Sequence, residues 1–125
     1  MGFLDNVTSG IQVVPRRTLS HAQHGVGKTI FASKWPKPIL LPTEDGFAHV
    51  DITATEKFDS SRDLYAAIME CVESSFETVV IDSVDWLETI IWHELIKEGF
   101  KMDYGKGNVE AARRLGEILK ACDKA

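Results

Sequence analysis

A glycine-rich hexapeptide near the start of the chain places the strongest constraint on its fold. It consists of His24, Gly25, Val26, Gly27, Lys28 and Thr29. Its glycines allow successive backbone N–H groups to turn toward one point, and a helix that begins near Lys28 adds the positive end of its dipole. Such a loop cradles phosphate groups when it joins a strand to a helix. The hexapeptide therefore predicts a strand, a phosphate-binding loop and a helix in succession.

Two residues at the end of the loop have separate predicted roles. Lys28 is expected to reach the β- and γ-phosphates of a nucleoside triphosphate, and the Thr29 hydroxyl to hold Mg²⁺. The full motif has a further glycine where this chain has Ala22. Alanine is the smallest replacement and permits a tight turn at negative φ, so we expect the loop to bind ATP. An ordinary glycine-rich turn with a solvated lysine is the alternative.

Length and composition favour one soluble domain with a single core. The chain has 125 residues, of which 44% are hydrophobic, and no apolar run approaches the roughly 20 residues of a membrane helix. Asp5 lies where a signal peptide would be positive, so we expect a cytoplasmic protein. Cys71 and Cys122 are isolated, which argues against a zinc site or a disulfide framework. The net charge of −5 argues against a chain that coats nucleic acid.

Hydrophobic periodicity predicts a domain of alternating strands and helices at residues 16–125, after an N-terminal arm at 1–15. Strands are predicted at 18–21, 39–41, 52–55 and 78–81, the third at a sheet edge and the fourth buried on both faces. Helices are predicted at 28–35, from Ser60 or Ser61 onward, from Val84 to about Gly99, and from about Asn108. This alternation predicts an α/β fold with a mainly parallel sheet.

The predicted helices have apolar faces that should line the core. Those of the two middle helices consist of Leu64, Ile68, Cys71 and Val72 in the first and Val84, Leu87, Ile91 and Leu95 in the second. That of the last helix consists of Ala112, Leu115, Ile118, Leu119 and Cys122. These spacings indicate helices that pack on one side only.

Asp82 directly follows the apolar residues Val79, Val80 and Ile81. A buried parallel strand delivers the side chain after it to the sheet edge where α/β proteins bind ligands. We therefore expect Asp82 to orient the Mg²⁺ shell opposite Thr29. The alternative is that Asp82 caps the next helix, although Ser83 is equally suited to that role.

Glu44 follows the strand that comes after the phosphate-loop helix. A carboxylate at this place can polarise the water that attacks the γ-phosphate, so Glu44 is the predicted catalytic residue. Asp45 is the substitute, and a plain polar turn is the alternative for both. Asp85 and Glu88 are expected to point outward from their helix.

Together these motifs resemble RecA-like P-loop ATPases. Within that group they are similar to phage-encoded AAA-type nucleotide-binding proteins of the single-strand annealing or recombination class. The resemblance rests on HGVGKT at 24–29, PTEDG at 42–46, VVIDSVDWLE at 79–88 and YGKG at 104–107. It implies a three-layer α/β/α fold with a mainly parallel sheet, and ATP and Mg²⁺ as cofactors. It also implies Glu44 as the catalytic carboxylate and a location in the host cytoplasm.

The resemblance further implies a homo-oligomer that binds single-stranded DNA. It implies no association with a membrane. Relatives of this kind continue into another strand, which lies between the phosphate-loop strand and the strand before Asp82. We therefore expect a fold that is incomplete at its C-terminus, marginally stable and weakly active. Two alternatives remain: a truncated nucleotide-binding fragment with little or no turnover, and a small-molecule P-loop kinase, for which Arg113 and Arg114 are the available lid residues.

The region after Asp82 contains basic and aromatic residues suited to single-stranded DNA. They are Lys97, Lys101, Lys106, Arg113 and Arg114, with Phe100 and Tyr104 for base stacking. Nearby acidic residues dilute this charge, so a solvated helix face is the favoured interpretation. Trp86 and Trp92 are expected to make core or subunit contacts.

Overall fold

A computed structural model of the chain describes residues 2–11, 14–22, 27–99 and 105–124. A short 3₁₀ helix at Phe3–Asn6 precedes seven further elements. These are α1 (Lys28–Ser33), β1 (Pro38–Pro42), β2 (Thr53–Ala54), α2 (Ser61–Val72), β3 (Thr78–Asp82), α3 (Val84–Lys97) and α4 (Lys106–Cys122). No helix among the described residues is long and apolar enough to cross a bilayer.

The three strands form one parallel sheet in the order β2-β1-β3. Leu40 of the central strand lies opposite Ala54 on one side and Val80 on the other. The predicted α/β class with a parallel sheet is confirmed in this part of the chain, and so is the edge position of the strand at 53–54. Within the described residues, the outer edge of β3 has no neighbouring strand.

The core lies between one face of this sheet and the three longer helices. Ile39 and Leu41 of β1 share a buried cluster with residues of α2, α3 and α4, and Val79 and Ile81 of β3 pack against it. Because side chains alternate along a strand, these four residues mark one face of the sheet. Leu40 is directed to the opposite face and is also fully buried. The helix residues in the cluster include Leu64, Ile68, Cys71, Leu87, Ile91 and Leu95, as predicted. Val72 and Val84, which were predicted on the same faces, are only half-buried and lie outside the cluster.

The predicted strand at 18–21 is wrong, because residues 14–22 contain no strand. Within residues 18–21, Leu19 is the only large apolar side chain, and it is 80% exposed. A segment this short and polar buries too little surface to offset the entropy lost on ordering, and it pairs with no described strand. The described residues of the predicted arm at 1–15 are likewise exposed.

Two details of the predicted burial are also wrong. All five residues of β3 are only half-buried, because β3 is an edge strand of the described sheet. On α4, Ala112 is exposed, and the buried line consists of Gly107, Ala111, Ile118 and Ala121. This helix begins two residues before the predicted start, after Gly105 in the left-handed region at φ 78°.

Two polar contacts join elements that are distant in the sequence. The Glu94 carboxylate on α3 accepts hydrogen bonds from the backbone N–H and hydroxyl of Ser61, at 2.8 and 2.6 Å. Arg17 forms a two-point ion pair with Asp123, directly after α4. The guanidinium lowers the pKa of the Asp123 carboxyl. The second contact holds the exposed segment at 14–22 against the end of α4.

Candidate functional site

The carboxyl ends of β1 and β3 lie side by side. Pro42 and Asp82 are in register, and the Thr43 N–H donates to the Asp82 carbonyl oxygen at 2.9 Å. The two strands therefore deliver Thr43-Glu44 and Asp82-Ser83 to one edge of the sheet. This is the edge at which parallel α/β sheets bind ligands.

Helix α1 brings Thr29 to the same edge. The Thr29 hydroxyl donates to a carboxylate oxygen of Asp82, Oδ2, at 2.6 Å, and both residues are half-buried. The cap of α3 is Ser83, whose Oγ accepts a hydrogen bond from the backbone N–H of Trp86 at 3.4 Å. The Asp82 side chain is thus directed toward the phosphate-loop helix and is not used as a helix cap.

The Thr29 and Asp82 oxygens are hard ligands of the kind that Mg²⁺ takes. Mg²⁺ takes few protein ligands, prefers hard oxygens, and completes its shell with water and phosphate. Adjacent ligands of an octahedral ion bound at about 2.1 Å are about 3 Å apart, so this oxygen pair needs to open only slightly. The described ranges contain no group of three or more His, Cys, Asp or Glu residues placed to hold a metal. An ion here would depend on phosphate and water for its remaining ligands.

Glu44 lies beside this pair at the end of β1. It is half-buried, and its Oε2 accepts a hydrogen bond from the Ser83 hydroxyl at 3.2 Å. Asp45 is exposed and forms a long ion pair with Lys57, at 3.7 Å. Asp85 and Glu88 are exposed on α3, as expected. Of these carboxylates, only Glu44 is held at the sheet edge beside Asp82.

The predicted phosphate loop is described only at its end. Gly27 precedes α1 in the left-handed region at φ 94°, where a residue with a side chain is strained. Lys28 is the first residue of α1, is half-buried, and forms no salt bridge within the described residues. His24, Gly25 and Val26, which were predicted to bind the phosphates, lie outside the described residues.

The two arginines of α4 are engaged by carboxylates. Arg113 contacts Glu110 and Glu117, and Arg114 contacts Glu110 and Glu98. Hydrogen bonds from both guanidiniums lower the pKa of Glu110 to about 2. Arg113 thus links neighbouring turns of α4, and Arg114 joins α4 to Glu98 at the end of α3. Three of the residues considered for DNA contact, Phe100, Lys101 and Tyr104, lie outside the described residues.

Sequence reasoning overlooked Thr43, which is 5% exposed. Its hydroxyl accepts from the Ser83 N–H and donates to the Ser83 carbonyl oxygen, each at 2.8 Å. The available signal was a hydroxyl residue directly after a buried strand, opposite a second one in the register of the sheet. Thr43 fixes the backbone that follows Asp82.

Comparison with known families identifies one match. The family model described as AAA domain matches residues 15–124, which is most of the chain. No curated protein and no solved structure matches the chain. The matched range includes Thr29, Glu44, Asp82 and Ser83.

Proposed function

Because this chain belongs to the AAA domain family, we propose that it binds ATP with Mg²⁺ and hydrolyses it. The family match supports nucleotide binding of the AAA type. The observation that carries the Mg²⁺-dependent part is the hydrogen bond between Thr29 and Asp82, which are 53 residues apart in sequence. It brings the residue after the phosphate-loop lysine against the carboxylate at the end of β3.

The motif positions in the sequence support a proposed role for each group. Lys28 and the N–H groups of residues 24–27 bind the phosphates, and Thr29 and Asp82 hold the ion. The ion, when bound, neutralises charge on the phosphate oxygens. Glu44 polarises the attacking water from the adjacent strand end. The Thr29–Asp82 and Ser83–Glu44 hydrogen bonds support this assignment, because they gather the three groups at adjoining strand ends.

The finer part of the proposal is a RecA-like ATPase of the phage recombination or single-strand annealing type. It includes the three-layer fold, a homo-oligomer, single-stranded DNA as partner and the host cytoplasm as location. The motif resemblance supports this part, and the parallel order β2-β1-β3 agrees with it. Arg113 and Arg114 are engaged by glutamates, so DNA contacts would come from other residues.

A second candidate is nucleotide binding with little turnover. It is favoured by the exposed segment at 14–22, because these described residues form no strand where one was predicted to lead into the loop. Steady-state phosphate release with and without single-stranded DNA separates the two candidates. Stimulation by DNA is expected of the recombination type only. Phosphate transfer to a small acceptor would instead identify the kinase alternative.

Binding itself is tested by titration calorimetry of Mg-ATP against the full chain. Lys28→Ala removes an ammonium from the phosphates, and charge-assisted hydrogen bonds are worth about 1.5–3 kcal/mol each, so affinity should fall at least about tenfold. The matched control is Lys34→Ala, because Lys34 is an exposed lysine at the end of the same helix. Equal affinities of the two variants would rule out the phosphate-loop assignment.

A further inference from the structure

The Ser83 hydroxyl serves two partners at once. It accepts a hydrogen bond from the N–H of Trp86 at 3.4 Å, and it donates to Glu44 Oε2 at 3.2 Å. A hydroxyl has a single proton to donate, and here the N–H of the helix end occupies a lone pair. The proton is therefore directed to the carboxylate. We propose that Ser83 is a positioning residue for Glu44, a role that rests on the proposed ATPase function.

The Ser83 backbone is fixed independently of Glu44. Thr43, which is almost fully buried, bonds both the N–H and the carbonyl oxygen of Ser83 at 2.8 Å. Ser83 is also the N-cap of α3, a helix of 14 residues. A hydroxyl held by a strand end and a helix start has little freedom to follow a moving side chain. Glu44 is the partner that adjusts, so Ser83 determines where the carboxylate lies.

This arrangement leaves half of the carboxylate for chemistry. Ser83 engages Oε2, and within the described residues no hydrogen bond is formed to Oε1. A base acts on a water within hydrogen-bond reach, and small errors in placement are costly to the rate. The Ser83 proton stays on its oxygen throughout, because its task is to orient Glu44 and not to react. Removal of this hydroxyl should lower kcat and leave nucleotide affinity unchanged.

Three substitutions at Ser83 separate positioning from capping. Ser83→Ala removes both the cap and the donor. Ser83→Gly removes the donor but costs little as a cap, and Ser83→Thr keeps both functions. The matched control is Ser60→Ala, since Ser60 caps α2 with the same 3.4 Å hydrogen bond and has no contact with Glu44.

The measurements are the thermal midpoint, the calorimetric Kd for Mg-ATP and the kcat for phosphate release. We expect Ser83→Ala and Ser60→Ala to lower the midpoint by a similar few degrees. Only Ser83→Ala and Ser83→Gly should lower kcat, by about tenfold or more, with Kd unchanged and Ser83→Thr close to the parent.

The outcomes also separate this inference from the function on which it rests. If Glu44→Gln loses turnover while Ser83→Gly retains it, Ser83 is only a cap and the positioning role is overturned. A fall in kcat that is equal in Ser60→Ala and Ser83→Ala has the same meaning, because it would reflect stability alone. If Glu44→Gln retains full turnover, the proposed catalytic assignment itself fails.

Discussion

The Glu94 carboxylate in the last turn of α3 caps the N-terminus of α2 through Ser61. It accepts from both the backbone N–H and the hydroxyl of that residue. The first N–H groups of a helix have no partner within the helix, and a negative charge there also favours the helix dipole. The contact therefore fixes the start of α2 against α3.

Glu94→Ala should lower the free energy of unfolding by about 1–3 kcal/mol, because hydrogen bonds to a charged group are lost. Glu94→Gln keeps one acceptor oxygen and should lose less. Glu88→Ala on the same helix is the matched control, since the one hydrogen bond of the Glu88 side chain to another described residue is a 3.4 Å bond from the Trp92 indole. Urea denaturation measures all three variants. Equal losses in Glu94→Ala and Glu88→Ala would contradict the capping role.

Thr43→Val should destabilise the chain by about 1–3 kcal/mol, although the two side chains have nearly the same shape. The substitution leaves the N–H and carbonyl oxygen of Ser83 without the hydroxyl that now bonds both. Thr43→Ser keeps the hydroxyl and is the control. Thermal unfolding compares the variants, and a Val variant as stable as the Ser variant would show that water replaces these bonds.

Acid should weaken the ion pairs within α4 through Glu110. Its pKa is lowered from 4.5 to about 2 by Arg113 and Arg114, so its contribution to stability is present above pH 4.5 and is lost as the pH falls to about 2. Glu110→Gln should therefore lower the thermal midpoint at neutral pH, and the difference from the parent should vanish by about pH 2. Glu73→Gln, at an exposed carboxylate outside this cluster, is the charge-matched control. A difference that persists unchanged to the lowest pH would show that charge has no part in the effect.

Glu44→Gln should retain Mg-ATP binding and lose most turnover, because the amide keeps the shape of the side chain but cannot act as a base. Asp45→Asn changes the neighbouring residue in the same way and should leave phosphate release close to the parent. Calorimetry and steady-state phosphate release give the two quantities. A larger loss in Asp45→Asn would transfer the catalytic role to Asp45.

The elements that the sequence predicted well are those whose apolar pattern is long. Leu87, Ile91 and Leu95 recur at helical spacing and are fully buried in α3. The strand before Asp82 was predictable from its β-branched run. The strand predicted at 18–21 is wrong because its side chains are mostly polar and bury little surface. A segment of this kind forms a strand only when a neighbouring strand pairs with it.

The candidate site was predictable in outline and not in its hydrogen bonds. Motif spacing identified Thr29, Glu44 and Asp82, and the parallel register explains why the two carboxylates share an edge. The contacts of Thr43 with Ser83 depend on two strand ends that lie 40 residues apart in sequence. No local pattern contains that information, because it arises only once the sheet has formed.

The open side of β3 has a consequence for handling the protein. Its residues are mostly β-branched, contain no lysine or proline, and are paired on one side only within the described sheet. Such an edge is a template for aggregation through strand addition, and charged residues at its ends act as gatekeepers. Glu77 and Asp82 flank the apolar part of β3. Neutralising Glu77 should therefore promote concentration-dependent self-association without disturbing the buried core.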